Sequence, residues 1–217
     1  MEKETTKQRI VTEAVKLFSK NGYEAVTVEQ IATAVGIKAP SLYKHYKSKK
    51  DIFESILDRM NHSDYERAKE YEMPEGTLDE MADKYAQTPL EKIKAYSEAQ
   101  FLHWTEDEFS SAFRRMLTIE QFRSSDKSKL YQQYLGAGPV EYMADIFAEM
   151  TNDESNGIQL ALEFYSPMFL LYSIYDASDD EIEKTKVTDM LQRHIERFAA
   201  KYEAEHGRKN FTILCRK

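Results

Sequence analysis

The 217-residue chain has little that interrupts or cross-links a fold: 7 glycines, 5 prolines and a single cysteine, Cys215. One cysteine excludes an internal disulfide and a cysteine-rich zinc site, and accords with a reducing compartment, the cytoplasm. The glycines and prolines sit mostly where a helix would have to stop, at Gly22, Gly36, Pro74, Gly76, Pro89, Gly136, Gly138, Pro139 and Gly157. An all-α protein is therefore expected. The most apolar run, residues 167–175, is far short of the ~20 residues that span a bilayer. The opening MEKETTKQRIV lacks the apolar core of a secretory signal, so no membrane partner is expected. Also missing are histidines paired at i, i+4, an HExxH, a glycine-rich phosphate cradle and a nucleophile elbow, which argues against an enzyme, a metal site and a cofactor. His103 and His194 lie on otherwise apolar helix faces, where histidine is more often a satisfied core residue than an acid or base.

Acidic residues outnumber basic ones, for a net charge of −8, but not evenly along the chain. Residues 1–60 hold 11 Lys/Arg against 8 Asp/Glu, a balance of +3, which leaves 19 against 30, or −11, for residues 61–217. Attraction to phosphate follows local potential, so a mildly basic head on an acidic body still suits nucleic acid.

The stretch VEQIATAVGIKAPSLYKHY, residues 28–46, reads as two short helices around a glycine turn. Val28, Ile31, Ala32 and Val35 repeat at i, i+3, i+4, i+7 and give the first helix one apolar stripe. Thr27 and Gln30 make a capping box at its start. Gly36 ends it, and Pro40 suits the first position of the next helix, whose amide there has no partner. That second helix, about Pro40 to Tyr46, carries Ser41, Tyr43, Lys44 and His45 around one apolar anchor, Leu42, with Lys38 before it and Lys47 after. Hydroxyl, imidazole and ammonium groups are the donors that meet phosphate oxygens and base edges. Ser48 and Asp51 then open another helix at Lys49 and Lys50, where lysines beside free amides suggest a phosphate clamp.

Residues 18–57, FSKNGYEAVTVEQIATAVGIKAPSLYKHYKSKKDIFESIL, resemble the N-terminal domain of the TetR (tetracycline-repressor-like) transcriptional regulators. The matching pattern is an aromatic, then Gly22-Tyr23, Thr27-Val28, Ile31-Ala32, Val35-Gly36-Ile37, Ser41-Leu42-Tyr43, Tyr46 and Lys49. It covers about residues 7–60. The resemblance implies a DNA-binding transcriptional regulator, a repressor, acting as a homodimer on a double-stranded, pseudo-palindromic operator and released by a small-molecule effector. It implies contacts to DNA from Thr27, Ala39, Pro40, Ser41, Tyr43 and His45, and from Lys49 to a phosphate. An adaptor that works through a protein partner is the alternative with the same head, and a helical enzyme is the rival from another class.

The expected architecture is a three-helix helix-turn-helix domain, residues 1–50, followed by a helical effector-binding and dimerisation domain, residues 51–217. Periodicity predicts helices at about 6–21, 49–71, 90–104, 107–122, 127–150 with a break near 136–139, 154–175 and 179–202. Phe164, Met168, Leu171 and Tyr175 recur along one helix, and Val187, Leu191, His194 and Phe198 along the next. Stripes wider than one partner can cover suggest pairing with a second copy. Of 26 aromatic residues, 21 lie beyond residue 60. Phe101, His103, Trp104, Phe113, Met116, Phe122, Tyr134, Tyr142 and Phe164 are the candidate lining of an effector pocket, since apolar walls with a few polar handles are usual in small-molecule sites.

Overall fold

In the computed structural model residues 4–206 are described, and Cys215 and the tail from 207 lie outside them. The described residues form eleven α-helices and no strand. They divide into two units, one of residues up to Arg67 together with Glu106–Tyr131, the other of Ala68–Thr105 together with the residues from Gln132 onward.

The first unit starts with α1 (Thr6–Asn21), opened by a Thr5–Gln8 capping box and burying Ile10, Val11, Ala14, Val15 and Phe18 on one face. α2 (Val28–Val35) has the Thr27–Gln30 box expected from sequence, with Thr27 Oγ1 accepting from the Gln30 amide at 3.2 Å and Gln30 Oε1 accepting from the Thr27 amide at 2.8 Å. Gly36 closes it at φ +78°, ψ +31°, and the Ile37 amide reaches back to Ala32 O at 2.9 Å. That left-handed turn requires glycine for its backbone. A Cβ there would meet nothing within 4 Å. α3 (Ala39–Leu42) is only four residues long, one residue earlier and shorter at its far end than periodicity suggests. Tight turns continue it, with His45 N donating to Leu42 O at 2.8 Å and Tyr46 N to the same oxygen at 3.1 Å.

α4 (Lys49–Glu70) buries Ile52, Phe53, Ile56 and Met60. Arg59 on it donates to Thr12 Oγ1 on α1 at 2.8 Å and lies over the Phe109 ring at 4.1 Å. Phe109 belongs to α7 (Glu108–Glu120), which packs along α1 and buries Phe113, Met116 and Leu117 completely. The sequence ended the head at residue 50, whereas the first unit takes in most of α4 and all of α7. The reason is that three helices of a small head leave α1 with an uncovered apolar side, and α7 covers it. α8 (Ser125–Leu135) begins in this unit and ends in the other.

The second unit holds α5 (Leu78–Gln87), α6 (Leu90–Glu106) up to Thr105, α9 (Ala137–Thr151), α10 (Glu154–Asp176) and α11 (Glu181–His206). Periodicity assigned no helix where α5 lies, yet Thr77 and Glu80 form a full capping box at its start. α9 and α10 make the most extensive helix contact of the fold. Gly157 permits it, because a Cβ there would sit 2.5 Å from Ala144 O and 2.8 Å from Ala148 N. Phe147, Phe164, Phe198 and Tyr202 form the aromatic centre of the core, with neighbouring ring centroids 5.1 to 6.5 Å apart. Such tilted, edge-on and offset-stacked pairs add to what area burial alone supplies.

Candidate nucleic-acid interface and interior cavity

The two-helix turn in the first unit presents one polar surface. Leu42 is fully buried and Tyr46 nearly so, and these two anchor the segment. Tyr46 also donates to Lys7 O at 3.4 Å, and burial pushes its phenol pKa up, so it stays protonated. Around these anchors Thr27, Lys38, Pro40, Tyr43, Lys44, His45 and Lys47 are exposed, while Ala39 and Ser41 are half-buried. Tyr43, a large aromatic, leaves 51% of its surface in water. An exposed tyrosine among three exposed lysines, a histidine and a serine on a rigid turn is the arrangement that meets base edges and phosphates.

Lys49 differs from its expected part. Its ammonium donates to the carbonyls of Tyr23, Val26 and Glu24 at 2.8, 3.0 and 3.4 Å and lies 4.3 Å from the centre of the Tyr23 ring. An ammonium has three hydrogens, and all three have protein acceptors here. Lys49 thus ties the start of α4 to the loop before α2, and a phosphate would have to displace one of those carbonyls. Next to it, Asp51 accepts from the Ser48 hydroxyl at 2.7 Å and the Lys47 amide at 3.0 Å. The Ser48 hydrogen bond, followed by the Lys47 amide, holds the Asp51 carboxyl below the usual carboxylate range.

Sequence reasoning missed several residues that position this surface. Arg9 Nη2 donates to Val35 O at 2.6 Å and caps the end of α2 from α1. Glu120, buried on α7, accepts from the Tyr23 amide at 2.9 Å. Lys127 on α8 lies over Phe53 at 3.4 Å and Tyr23 at 4.4 Å from the ring centres, and burial pulls its ammonium pKa down. Tyr23 is therefore held by two ammonium groups and a carboxylate, none of them adjacent in sequence.

Two cavities lie among the described residues of the second unit. One, about 260 Å³, is lined by Ala68, Met73, Pro74, Tyr85, Ile93, Tyr96, Ser97, Tyr142, Met143, Phe147, Met150, Phe164 and Tyr165. The other, about 160 Å³, is lined by Tyr96, Ser97, Gln100, Phe101, Trp104, Tyr134, Leu135, Pro139, Phe164, Tyr165, Met168, Phe169 and Tyr172. Of the nine candidate pocket residues, Tyr142 and Phe164 line the first, and Phe101, Trp104, Tyr134 and Phe164 the second. Four do not line either. Phe113 and Met116 are fully buried in the first unit's core, Phe122 leaves 87% of its surface exposed beyond α7, and His103 is buried toward the C-terminal end of α6. Periodicity marks a residue as apolar-facing without saying which unit it faces, and that cost the first two. Tyr85, Tyr96 and Tyr165 went unnamed. Burial pushes the phenols of Tyr85 and Tyr165 well above their ordinary pKa, so both remain hydrogen-bond donors.

The eight stripe residues proposed to pair with a second copy lie inside the chain's own second unit. Phe164, Met168, Leu171, Tyr175, Val187, Leu191 and Phe198 are buried in its core, and His194 holds its Nε2 2.8 Å from Phe164 O. α10 and α11 cover one another's stripes. What remains exposed is the adjoining face, with Leu162, Leu170 and Ile174 on α10 and Ile182 and Met190 on α11.

Among the described residues no helix is long and apolar enough to cross a membrane, and no three His, Cys, Asp or Glu side chains gather as a metal would need.

Residues 10–56 match the sequence pattern of the family described as bacterial regulatory proteins, tetR family. IcaR of Staphylococcus aureus strain Newman, the negative transcriptional regulator of the icaADBC biofilm operon, is 45% identical over 51 residues, which are 24% of this chain and 27% of that protein's length. IcaR of Staphylococcus epidermidis is 38% identical over 52 residues, 24% of this chain and 28% of its own. The match thus spans about a quarter of these relatives. Two solved structures share the whole fold at low identity. SmeT in complex with triclosan superposes with a TM-score of 0.62 at 14% identity, covering 91% of each chain. A TerR/AcrR-family regulator from Aquifex aeolicus gives 0.58 at 17% identity, covering 89% of this chain and 99% of its own. The head thus carries the sequence pattern of the tetR family, and the fold is shared along nearly the full length with solved regulators of low identity.

Proposed function

We propose that the protein is a DNA-binding transcriptional regulator, a repressor, that grips a pseudo-palindromic operator as a homodimer and is released by a small-molecule effector. One observation carries this reading: the rigid, glycine-capped turn exposes Tyr43, Lys44, His45 and Lys47 while burying Leu42 completely. Thr27, Ala39, Pro40, Ser41, Tyr43 and His45 supply the groove-facing contacts. Lys38, Lys44 and Lys47 supply phosphate contacts, and Lys49 sets the loop and helix start that present them. IcaR is described as a negative regulator and SmeT as the repressor of a multidrug efflux pump, which supports repression here.

The cavities of the second unit favour a small-molecule effector over a protein partner, because they are concave and walled by side chains from several helices. The triclosan complex of SmeT supports the same use of this fold. An effector that prefers one conformation of the chain by ~1–3 kcal/mol would change operator affinity roughly 5- to 150-fold. In a dimer the two turns would enter successive major grooves, about 34–36 Å apart.

The test is selection of duplexes from a random double-stranded library at low salt, followed by titration of the selected sequence at rising salt. A recovered inverted repeat, bound with an affinity that falls steeply with salt, is the expected result. No enrichment of any duplex would overturn the reading.

A further inference from the structure

The two cavities of the second unit share a wall. Tyr96, Ser97, Phe164 and Tyr165 line both, so the two volumes adjoin as lobes that share these four residues. The first lobe adds methionines and tyrosines, and the second adds Phe101 stacked on Tyr172, with centroids 5.0 Å apart and planes 4° from parallel. Although 31% of the chain is charged, neither lining contains an Asp, Glu, Lys, Arg or His. A carboxylate, phosphate or ammonium entering there would leave water for walls that offer no counter-charge, which is strongly unfavourable. Flat aromatic walls and polarisable thioethers favour a ring system.

Gln100 contributes an acceptor to the second lobe, beside the hydroxyls of Ser97 and several tyrosines. It lines that lobe, and its Oε1 is buried without a hydrogen-bond partner among the described residues. A buried acceptor left unmade is costly, so a ligand group that donates to it gains more than the bond alone.

We propose that the two lobes form one site for an uncharged, two-ring aromatic effector whose single hydroxyl or amide N–H donates to Gln100 Oε1. This rests on reading the second unit as the effector-binding part. The class excludes fatty acids, organic phosphates and quaternary ammonium compounds.

The test uses four probes of one shape on the full chain, by thermal shift and calorimetric titration without DNA: 4-phenylphenol, 4-methoxybiphenyl, biphenyl-4-carboxylate and biphenyl-4-yltrimethylammonium. The phenol should raise the melting temperature and bind about tenfold tighter than its methyl ether, which cannot donate. Both should bind more tightly than either ion. Gln100→Leu should erase the preference for phenol over ether, while Gln100→Glu, which keeps an acceptor at that place, should retain it. The preference is a ratio within each variant, so a general loss of stability does not imitate it. The proposal is overturned if an ion binds as tightly as the phenol, if ether and phenol bind alike in the unaltered chain, if Gln100→Leu keeps the preference, or if no probe binds. Operator binding by the ligand-free protein is measured separately, so a failure of the effector class stays distinct from a failure of the DNA reading.

Discussion

At the scale of single residues, the lysines of the turn divide into two kinds with different consequences. Lys44 and Lys47 are exposed, whereas Lys49 spends its hydrogens on three loop carbonyls. Removing a charged donor from such acceptors costs about 2 kcal/mol. Lys49→Met should therefore lower the stability of the chain by about that much in urea unfolding, because the loop before α2 loses its tie. Lys44→Ala and Lys47→Ala should leave the unfolding midpoint unchanged and instead reduce the salt slope of operator binding by about 1 each. Sequence alone showed lysines beside a helix start, and that much is legible from spacing. It could not show that the carbonyls of Tyr23, Glu24 and Val26 turn toward Lys49, since the course of a loop is not encoded in local periodicity. Asp51 permits a check on the same corner by pH. Its folded pKa is depressed, mainly by the Ser48 hydroxyl, so its contribution is present above the unfolded value of about 3.9 and is lost as pH falls through the lower folded value. The stability gap between the unaltered chain and Asp51→Ala should be open at pH 7 and should narrow below about pH 4. A gap independent of pH would show that the carboxylate charge contributes nothing.

At the scale of elements, the decisive contact is α9 against α10. Gly157 sits where the α9 backbone comes closest, with Ala144 O only 2.5 Å from the place a Cβ would occupy. Backbone cannot swing aside as a long side chain can, so Gly157→Ala should force the helices apart and cost roughly 1–3 kcal/mol, despite alanine's better helix propensity. Thermal unfolding checks the sign: a stabilised variant would mean that the helices separate freely there. Helix existence was legible wherever caps and periodicity agreed, as at Thr27–Gln30 and Gly36. α5 escaped because its apolar stripe is short, with Ala82 its one buried residue, although the Thr77-Glu80 box stood in the sequence as a signal. α7 was recognised as a helix but assigned to the wrong neighbours, because an amphipathic face names no partner. Phe113 and Met116 went with it. The tyrosines that do line the cavities, such as Tyr85 and Tyr165, lie on separate helices that only tertiary packing brings together.

At the scale of the whole molecule, an operator-binding protein with a mildly basic head gains affinity by presenting two heads at once. One turn with a handful of exposed cations supplies modest attraction, and two joined turns raise the effective concentration of the second to the millimolar range. The proposed homodimer therefore needs a surface that the chain leaves open. Leu170 leaves 63% of its surface exposed, with Leu162 and Ile174 on the same α10 face at spacings of eight and four, and Ile182 and Met190 exposed on α11. Leu170→Glu should be silent within one chain, because the side chain already lies in water and its buried neighbours, Met168 and Leu171, are untouched. Between two chains it would bury like charges against each other across a two-fold axis, which costs several kcal/mol and dissolves the pair. Sedimentation should show the unaltered protein as a dimer and the variant as a folded monomer. Operator affinity should then fall by about 10²–10⁴, the avidity that two linked heads provide. If the variant stays dimeric, the interface lies elsewhere on the chain; if it becomes monomeric yet binds the operator undiminished, one turn suffices and the inverted repeat is not what the protein reads.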